Sequence, residues 1–225
     1  MQAAAILFDF DGVLIESEYA SAVHIAATLT TLGHPTTPEV AIHRFTGLAG
    51  SQFVEAVTAW IGGPLPQAFR EARAIEDARA VAEGVAPVAG AVAFVASLPA
   101  DLPIAVVSSS TSHWINAHLA HIGLADRFGR HVYSGREHVV RGKPAPNLYL
   151  HAAAQLGVPI EACVIIEDSV VGATGAVASG GYVIGLCAAT HCDADHGDRL
   201  RALGVQALAA DYDEVAAILD FTPAE

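Results

Sequence analysis

Ile6-Leu7-Phe8-Asp9-Phe10-Asp11-Gly12-Val13-Leu14 decides the fold. An apolar run stops at two carboxylates, and a glycine follows. Carboxylates are costly inside a core, so such a strand places them at its end. Open α/β sheets keep their sites at the carboxyl ends of their strands. Side chains alternate along a strand, so Asp9 and Asp11 share one face. One can attack while the other moves a proton, and a hard cation can separate their charges. Gly12 allows a sharp turn beside them. Taken alone, the pair also reads as two exposed acids at a strand end.

Working outward, short apolar runs alternate with helical patterns. Strands are predicted over 4–8, 104–108, 131–133, 162–166, 182–186 and 206–209. Helices are predicted between them over 111–122, 147–156, 170–179, 198–203 and 213–219. Continuous apolar strands separated by helices predict an α/β fold, a Rossmann-like doubly wound parallel sheet. From about Glu16 to Gly84 the periodicity is helical and no strand is predicted, with helices over 18–32, 51–61 and 66–82. Pro35, Pro38, Gly62, Gly63, Pro64 and Pro66 divide this stretch. Residues 16–85 are therefore expected to form an inserted helical cap, and 1–15 plus 86–225 the catalytic core.

Three further stretches carry chemistry. Ser108-Ser109-Ser110-Thr111 follows the second strand and offers hydroxyl and N–H donors to an anion. It equally suits a plain helix cap. In Arg141-Gly142-Lys143-Pro144-Ala145-Pro146, two prolines stiffen the backbone around the only lysine of the sequence. A compact ammonium there is not replaced by a guanidinium. Val164-Ile165-Ile166-Glu167-Asp168-Ser169 is a second apolar strand ending in two acids, which suit Mg²⁺. Each stretch lies on the carboxyl-end side of a predicted strand of one parallel sheet. Together they supply a nucleophile, an acid/base, hydroxyls, a cation and metal ligands, the parts that phosphoryl transfer needs.

Composition sets the bounds. The 225 residues are 53% hydrophobic and carry a net charge of −13. That charge argues against nucleic acid and anionic membrane as partners. A substrate phosphate must then be held by a local positive site. Three cysteines, Cys163, Cys187 and Cys192, form no disulfide framework and suit a reducing compartment. Cys163 and Cys187 read as buried strand residues. No basic segment precedes the first strand and no apolar run reaches ~18 residues, so neither export nor a membrane span is expected. A cytoplasmic monomer is the expectation. His191-Cys192-Asp193-Ala194-Asp195-His196 looks metal-like, but its spacing fits no zinc pattern and it reads as a polar loop.

In combination, Phe8-Asp9-Phe10-Asp11-Gly12-Val13-Leu14, Gly142-Lys143-Pro144 and Glu167-Asp168-Ser169 resemble the haloacid dehalogenase superfamily, in its branch with a helical cap. Within it the chain is most similar to the sugar-phosphate phosphatases, 6-phosphogluconate phosphatase included, and to β-phosphoglucomutase. The resemblance implies a small phosphate ester as substrate. It implies that Asp9 attacks phosphorus, and that Asp11 protonates the leaving oxygen and then deprotonates water. It places Ser108, Ser109 and Ser110 on the phosphoryl oxygens, with Gly12 and Arg44 as further substrate-binding residues. Lys143 would neutralise charge. Mg²⁺ would be held by Asp9, the Asp11 carbonyl, Glu167 and Asp168, directly or through water.

Haloalkanoic acid dehalogenases lack the second carboxylate, because displacing halide needs no leaving-group proton, so Asp11 points to phosphate esters. Mutases of this branch resemble the chain more closely. They carry a histidine and an arginine at the positions of Ser21 and Gly50, although His24 and Arg44 lie nearby. A phosphatase is therefore expected before a mutase. A non-catalytic phosphate- or metal-binding module on the same fold is a third reading. In this branch the cap closes over the site. Its candidate contacts are Glu16, His43, Arg44, Thr46, Arg70, Arg73 and Arg79, and an arginine among them would suit a substrate carboxylate.

Overall fold

The computed structural model describes residues 3–48 and 50–220. Residues 1–2 and 221–225 of the predicted core and residue 49 of the predicted cap lie outside the described residues. In chain order the elements are β1 (Ala5–Phe8), α1 (Ser17–Thr31), α2 (Pro38–Phe45), α3 (Gly50–Ile61), α4 (Gln67–Glu83), α5 (Ala91–Ser97) and β2 (Ile104–Ser108). Then follow α6 (Ser112–His121), α7 (Ala125–Phe128), β3 (Val132–Ser134), α8 (Asn147–Leu156), a 3-10 turn (Ile160–Ala162) and β4 (Cys163–Glu167). The chain closes with α9 (Val170–Ser179), β5 (Tyr182–Leu186), α10 (His196–Ala202), β6 (Ala207–Ala209) and α11 (Tyr212–Leu219).

The strands form one sheet in the order β3-β2-β1-β4-β5-β6, every neighbouring pair parallel. This is the α/β doubly wound arrangement, with β1 at the point where the winding reverses. Its four residues are wholly buried, and the strand period sorts them between two cores. Ile6 and Phe8 join Val106, Val164 and Ile166 on one face. Ala5 and Leu7 join Val107, Ile165 and Tyr149 on the other. Register pairs Phe8 with Val106 and with Ile166, so the segments after β1, β2 and β4 emerge side by side.

Between β1 and α5 the chain is helical. Ala22, Ile25, Ala26 and Leu29 recur along one stripe of α1 and pack with Phe45, Val57 and Phe69 in a third cluster, apart from the two sheet cores. Helix α2 was not expected, because Pro35 and Pro38 read as breakers. Proline at the first helical position satisfies the helix, since its missing N–H has no partner there anyway. Thr37 completes the start by accepting the Val40 N–H at 3.3 Å. Helices α5 and α7 were also not predicted; both are short. The strand predicted over 162–166 runs one residue later, which makes Glu167 the last strand residue. No helix among the described residues is long and apolar enough to cross a membrane.

Candidate active site

Asp9 follows β1 directly, and its N–H is held by the Ile166 carbonyl of β4 at 2.9 Å. Lys143, from the loop before α8, places Nζ 2.6 Å from Asp9 Oδ1 and 2.5 Å from Glu167 Oε1. The Tyr149 hydroxyl lies 2.6 Å from the same Glu167 oxygen. Glu167 Oε2 accepts from the Ser169 N–H at 3.3 Å and its hydroxyl at 3.2 Å. Ser169, not Asp168, caps α9 by accepting the Gly172 N–H at 2.9 Å. All of these acids and the lysine are buried.

The electrostatics follow from burial. Desolvation and the neighbouring Glu167 push the Asp9 carboxyl well above the usual carboxylate range, against the opposing pull of Lys143. Burial alone would lower the Lys143 pKa, but Asp9 and Glu167 more than offset it, so the ammonium stays charged. Asp9, Glu167 and Asp168 bring carboxylate oxygens within 4.8 Å of one another. One ammonium does not balance three buried acids. Among the described residues Asp168 Oδ1 is buried with no hydrogen-bond partner, and Oδ2 has only His191 Nε2, at 3.1 Å. An oxygen-loving divalent ion satisfies this donor set.

Asp11 stands apart from that trio. Its Oδ1 accepts from Ser17 Oγ at 2.7 Å and Trp114 Nε1 at 3.0 Å. Its Oδ2 accepts from Ser110 Oγ at 2.7 Å and lies 3.4 Å from Ser108 Oγ. The Asp11 side chain is thus committed to hydroxyls and an indole. Ser108 Oγ in turn accepts the Ser110 N–H at 2.9 Å. The helix cap of the serine loop is Thr111, which accepts the Trp114 N–H.

These groups open onto a cavity of about 830 Å³. Asp9, Asp11, Ser108, Ser109, Ser110 and Lys143 line its floor, and Ser17, Glu18, Ser21, Thr46 and Arg73 are among the lining residues of the helical side. Part of Glu18 remains exposed, yet its carboxyl is enclosed. That burial, then Asp11 and Asp168, push its pKa up to about 8.

Two expected substrate contacts fall elsewhere. Arg44 lies with its guanidinium carbon 4.8 Å from the centre of the Trp60 ring, and it does not line the cavity. Stacking on an indole gives that arginine a partner within the helices. Gly12, at φ +81°, faces the acids: a Cβ there would meet Asp168 Oδ2 at 1.9 Å and His191 Cε1 at 2.9 Å. Its bare backbone makes room for Asp168 and does not reach the cavity. Of the other cap candidates, Thr46 and Arg73 line the cavity. Glu16 accepts from Thr190, His43 pairs with Asp193, and Arg79 pairs with Glu76 and Glu83 on the surface.

Sequence reasoning passed over several members. Ser17, Glu18 and Trp114 are helix residues with no local motif around them. Arg136 lines the cavity and donates from Nε to the Ser109 carbonyl at 3.1 Å. The segment 191–196 was expected to be a polar loop, but His191 and His196 are buried beside Asp168. A pair of histidines and a cysteine close together in an acidic stretch was the available signal. Cys163 is buried in β4, as expected, whereas Cys187 is half-buried just past β5.

Comparisons with known proteins bear on the family of the chain. The 6-phosphogluconate phosphatase of Escherichia coli (strain K12) is 28% identical over 188 residues, covering 83% of this chain and 84% of its own. Hexitol phosphatase A of the same organism is 30% identical over 189 residues, covering 82% and 83%. A solved haloacid dehalogenase-like protein of unknown function from Agrobacterium tumefaciens str. C58 superposes with a TM-score of 0.85 at 31% identity, covering 97% of this chain and 98% of that one. The family profile of haloacid dehalogenase-like hydrolases matches residues 3–180. Most of the sequence falls within that match, and the chain belongs to the haloacid dehalogenase-like hydrolase family.

Proposed function

We propose that this chain is a Mg²⁺-dependent phosphatase of small sugar or sugar-acid phosphates, working through an aspartyl-phosphate at Asp9. One observation carries the reading. The ammonium of Lys143 bridges Asp9 and Glu167, while Asp168 beside them turns a buried carboxylate toward the same point with Oδ1 unpartnered among the described residues. Such a centre holds a nucleophilic carboxylate next to room for a cation and a phosphoryl group. Relatives named as 6-phosphogluconate and hexitol phosphatases support the substrate class.

In this reading residues 86–220 with the β1 segment form the core, and the helices between β1 and α5 form the cap. Asp9 attacks phosphorus, so that a P–O bond to Asp9 forms as the bond to the sugar oxygen breaks. Asp11 gives that oxygen its proton. It then takes a proton from the water that cleaves the acyl phosphate, which releases inorganic phosphate and restores Asp9. The Ser108 hydroxyl and the Ser109 N–H bind phosphoryl oxygens, and Lys143 neutralises the charge between Asp9 and the phosphoryl group. Asp9, the Asp11 carbonyl and Asp168 would hold Mg²⁺. Glu167, whose oxygens already serve Lys143, Tyr149 and Ser169, would reach it through water. The ion supplies charge neutralisation for the phosphoryl group and the acids.

The mutase reading is disfavoured because the positions where those relatives carry histidine and arginine hold Ser21 and Gly50, both on the cavity wall. The test is a panel of phosphate esters with Mg²⁺, read for free phosphate and for isomer formation. Phosphate release that Asp9→Asn lowers by at least about 10³-fold supports the proposal. Isomer formation without free phosphate, or turnover retained in Asp9→Asn, overturns it.

A further inference from the structure

The mechanism leaves unexplained two buried histidines that lie against Asp168. His191, in the loop after β5, is 4% exposed, and His196, the first residue of α10, is 6% exposed. Histidine is rarely enclosed without a task for its ring nitrogens. His191 Nε2 lies 3.1 Å from Asp168 Oδ2. Its Nδ1 has no partner among the described residues. The remaining polar contact of His191 is the Cys192 sulfur at 3.7 Å. His196 reaches the same residue from another side: its Nε2 is 2.5 Å from the Asp168 main-chain carbonyl. Arg199 Nη2 lies 3.2 Å from the other His196 nitrogen, which orients the ring with Nε2–H toward Asp168.

One acid is therefore gripped at its carboxylate and at its backbone by separate imidazoles. Gly12 completes the enclosure, since any side chain there would collide with both Asp168 Oδ2 and His191. We propose that His191 and His196 are positioning residues that fix Asp168 for divalent-ion binding. The inference rests on the reading of Asp168 as a metal ligand. The physical ground is that a carboxylate ligand binds an ion well only when its own orientation is held, so partners behind the ligand govern affinity.

His191, Cys192 and His196 also offer ligand atoms within 4.8 Å of one another, as a soft-metal site would. The positioning reading is favoured because both nitrogens of His196 are already engaged, by the Asp168 carbonyl and by Arg199.

Mn²⁺ binding to the purified, metal-stripped full chain, followed by electron paramagnetic resonance, tests the proposal without turnover. The variants are His191→Phe, which keeps ring volume, His191→Ala, His196→Gln, His196→Ala and Cys192→Ser, each checked for fold by circular dichroism. Loss of the His191 donors, and of His196 by Ala, should weaken Mn²⁺ binding by about tenfold or more. His196→Gln, which can still donate to the Asp168 carbonyl, should recover part of that loss, and Cys192→Ser should match wild type. The Mg²⁺ concentration for half-maximal activity should rise in parallel, with kcat at saturating Mg²⁺ nearly kept. Whichever variant at each position folds is sufficient for the comparison. Wild-type affinity in folded His191 and His196 variants overturns the proposal. A thiolate-to-cobalt absorption band in Co²⁺-loaded wild type that Cys192→Ser abolishes overturns it in favour of a soft-metal site. Absence of Mn²⁺ binding by wild type itself overturns the metal assignment of Asp168, and this proposal with it.

Discussion

Trp114 Nε1 donates to Asp11 Oδ1 at 3.0 Å, although 103 positions separate the two residues in the chain. The indole comes from the first turn of α6 and meets the carboxylate at the end of the β1 segment. A hydrogen bond to a charged group contributes about 1.5–3 kcal/mol. With Ser17 and Ser110 it fixes where the proposed acid/base points. Trp114→Phe keeps an aromatic ring against His118, whose centroid is 4.1 Å away, but removes the donor. Steady-state kinetics should show kcat falling by about tenfold or more with a smaller change in KM, as expected when a 1.4 kcal/mol interaction is lost from the reacting group. An unchanged kcat would remove the indole from any part in orienting Asp11.

Lys143→Met addresses the buried ion pairs. Breaking a buried pair by removing one partner costs about 3–5 kcal/mol, because the remaining charges lose their compensation. For a chain of this size each kcal/mol moves Tm by about 2–4 °C, so a fall of roughly 6–20 °C is expected by calorimetry. The Asp9 carboxyl already lies above the usual range through burial and Glu167. Its protonation on acidification should therefore narrow the deficit. A variant as stable as wild type at neutral pH would contradict this electrostatic account.

Glu18 makes stability depend on pH. Its carboxyl is raised from 4.5 to about 8, by burial first and then by Asp11 and Asp168, with His191 opposing. The folded state then binds a proton more tightly than the unfolded chain. Its contribution is fully present below about pH 4.5 and is lost as pH rises through about 8. Glu18→Gln cannot ionise, so in metal-free buffer its Tm should gain on wild type across that window. Parallel Tm profiles for the two proteins would show that Glu18 does not titrate there.

Gly172 sets two local rules against each other. Alanine is favoured over glycine inside a helix by about 1 kcal/mol. Yet a Cβ at Gly172 would lie 2.0 Å from Glu167 Oε1, so the acid must move away from Lys143 and Tyr149. Overpacking of this kind costs about 1–3 kcal/mol, and the lost buried bonds add to it. Gly172→Ala should therefore lower both Tm and phosphate release. A variant more stable than wild type would mean that Glu167 has space to relax.

The sheet was legible because its strands are continuous apolar runs, and their ends carry acids and hydroxyls that no core would tolerate. Asp9, Ser108, Lys143, Glu167 and Asp168 could thus be read as neighbours before any coordinates. What could not be read has a common cause. Trp114, Ser17 and His191 reach the centre from helices and a loop in which a single polar side chain leaves no periodic trace. Arg44 misled because a charged residue near a predicted cap says nothing about the aromatic ring beside it. Helix α2 was missed because Pro38 was read as an end when Thr37 before it marked a beginning.

Lys143 has a practical consequence outside turnover. It is the only lysine in the sequence, it is 8% exposed, and its paired ammonium resists giving up the proton that acylating reagents require it to lose. Reagents aimed at amines should leave this interior lysine untouched. Acylation should therefore spare the buried centre, and no other amine side chain in the sequence competes for the reagent.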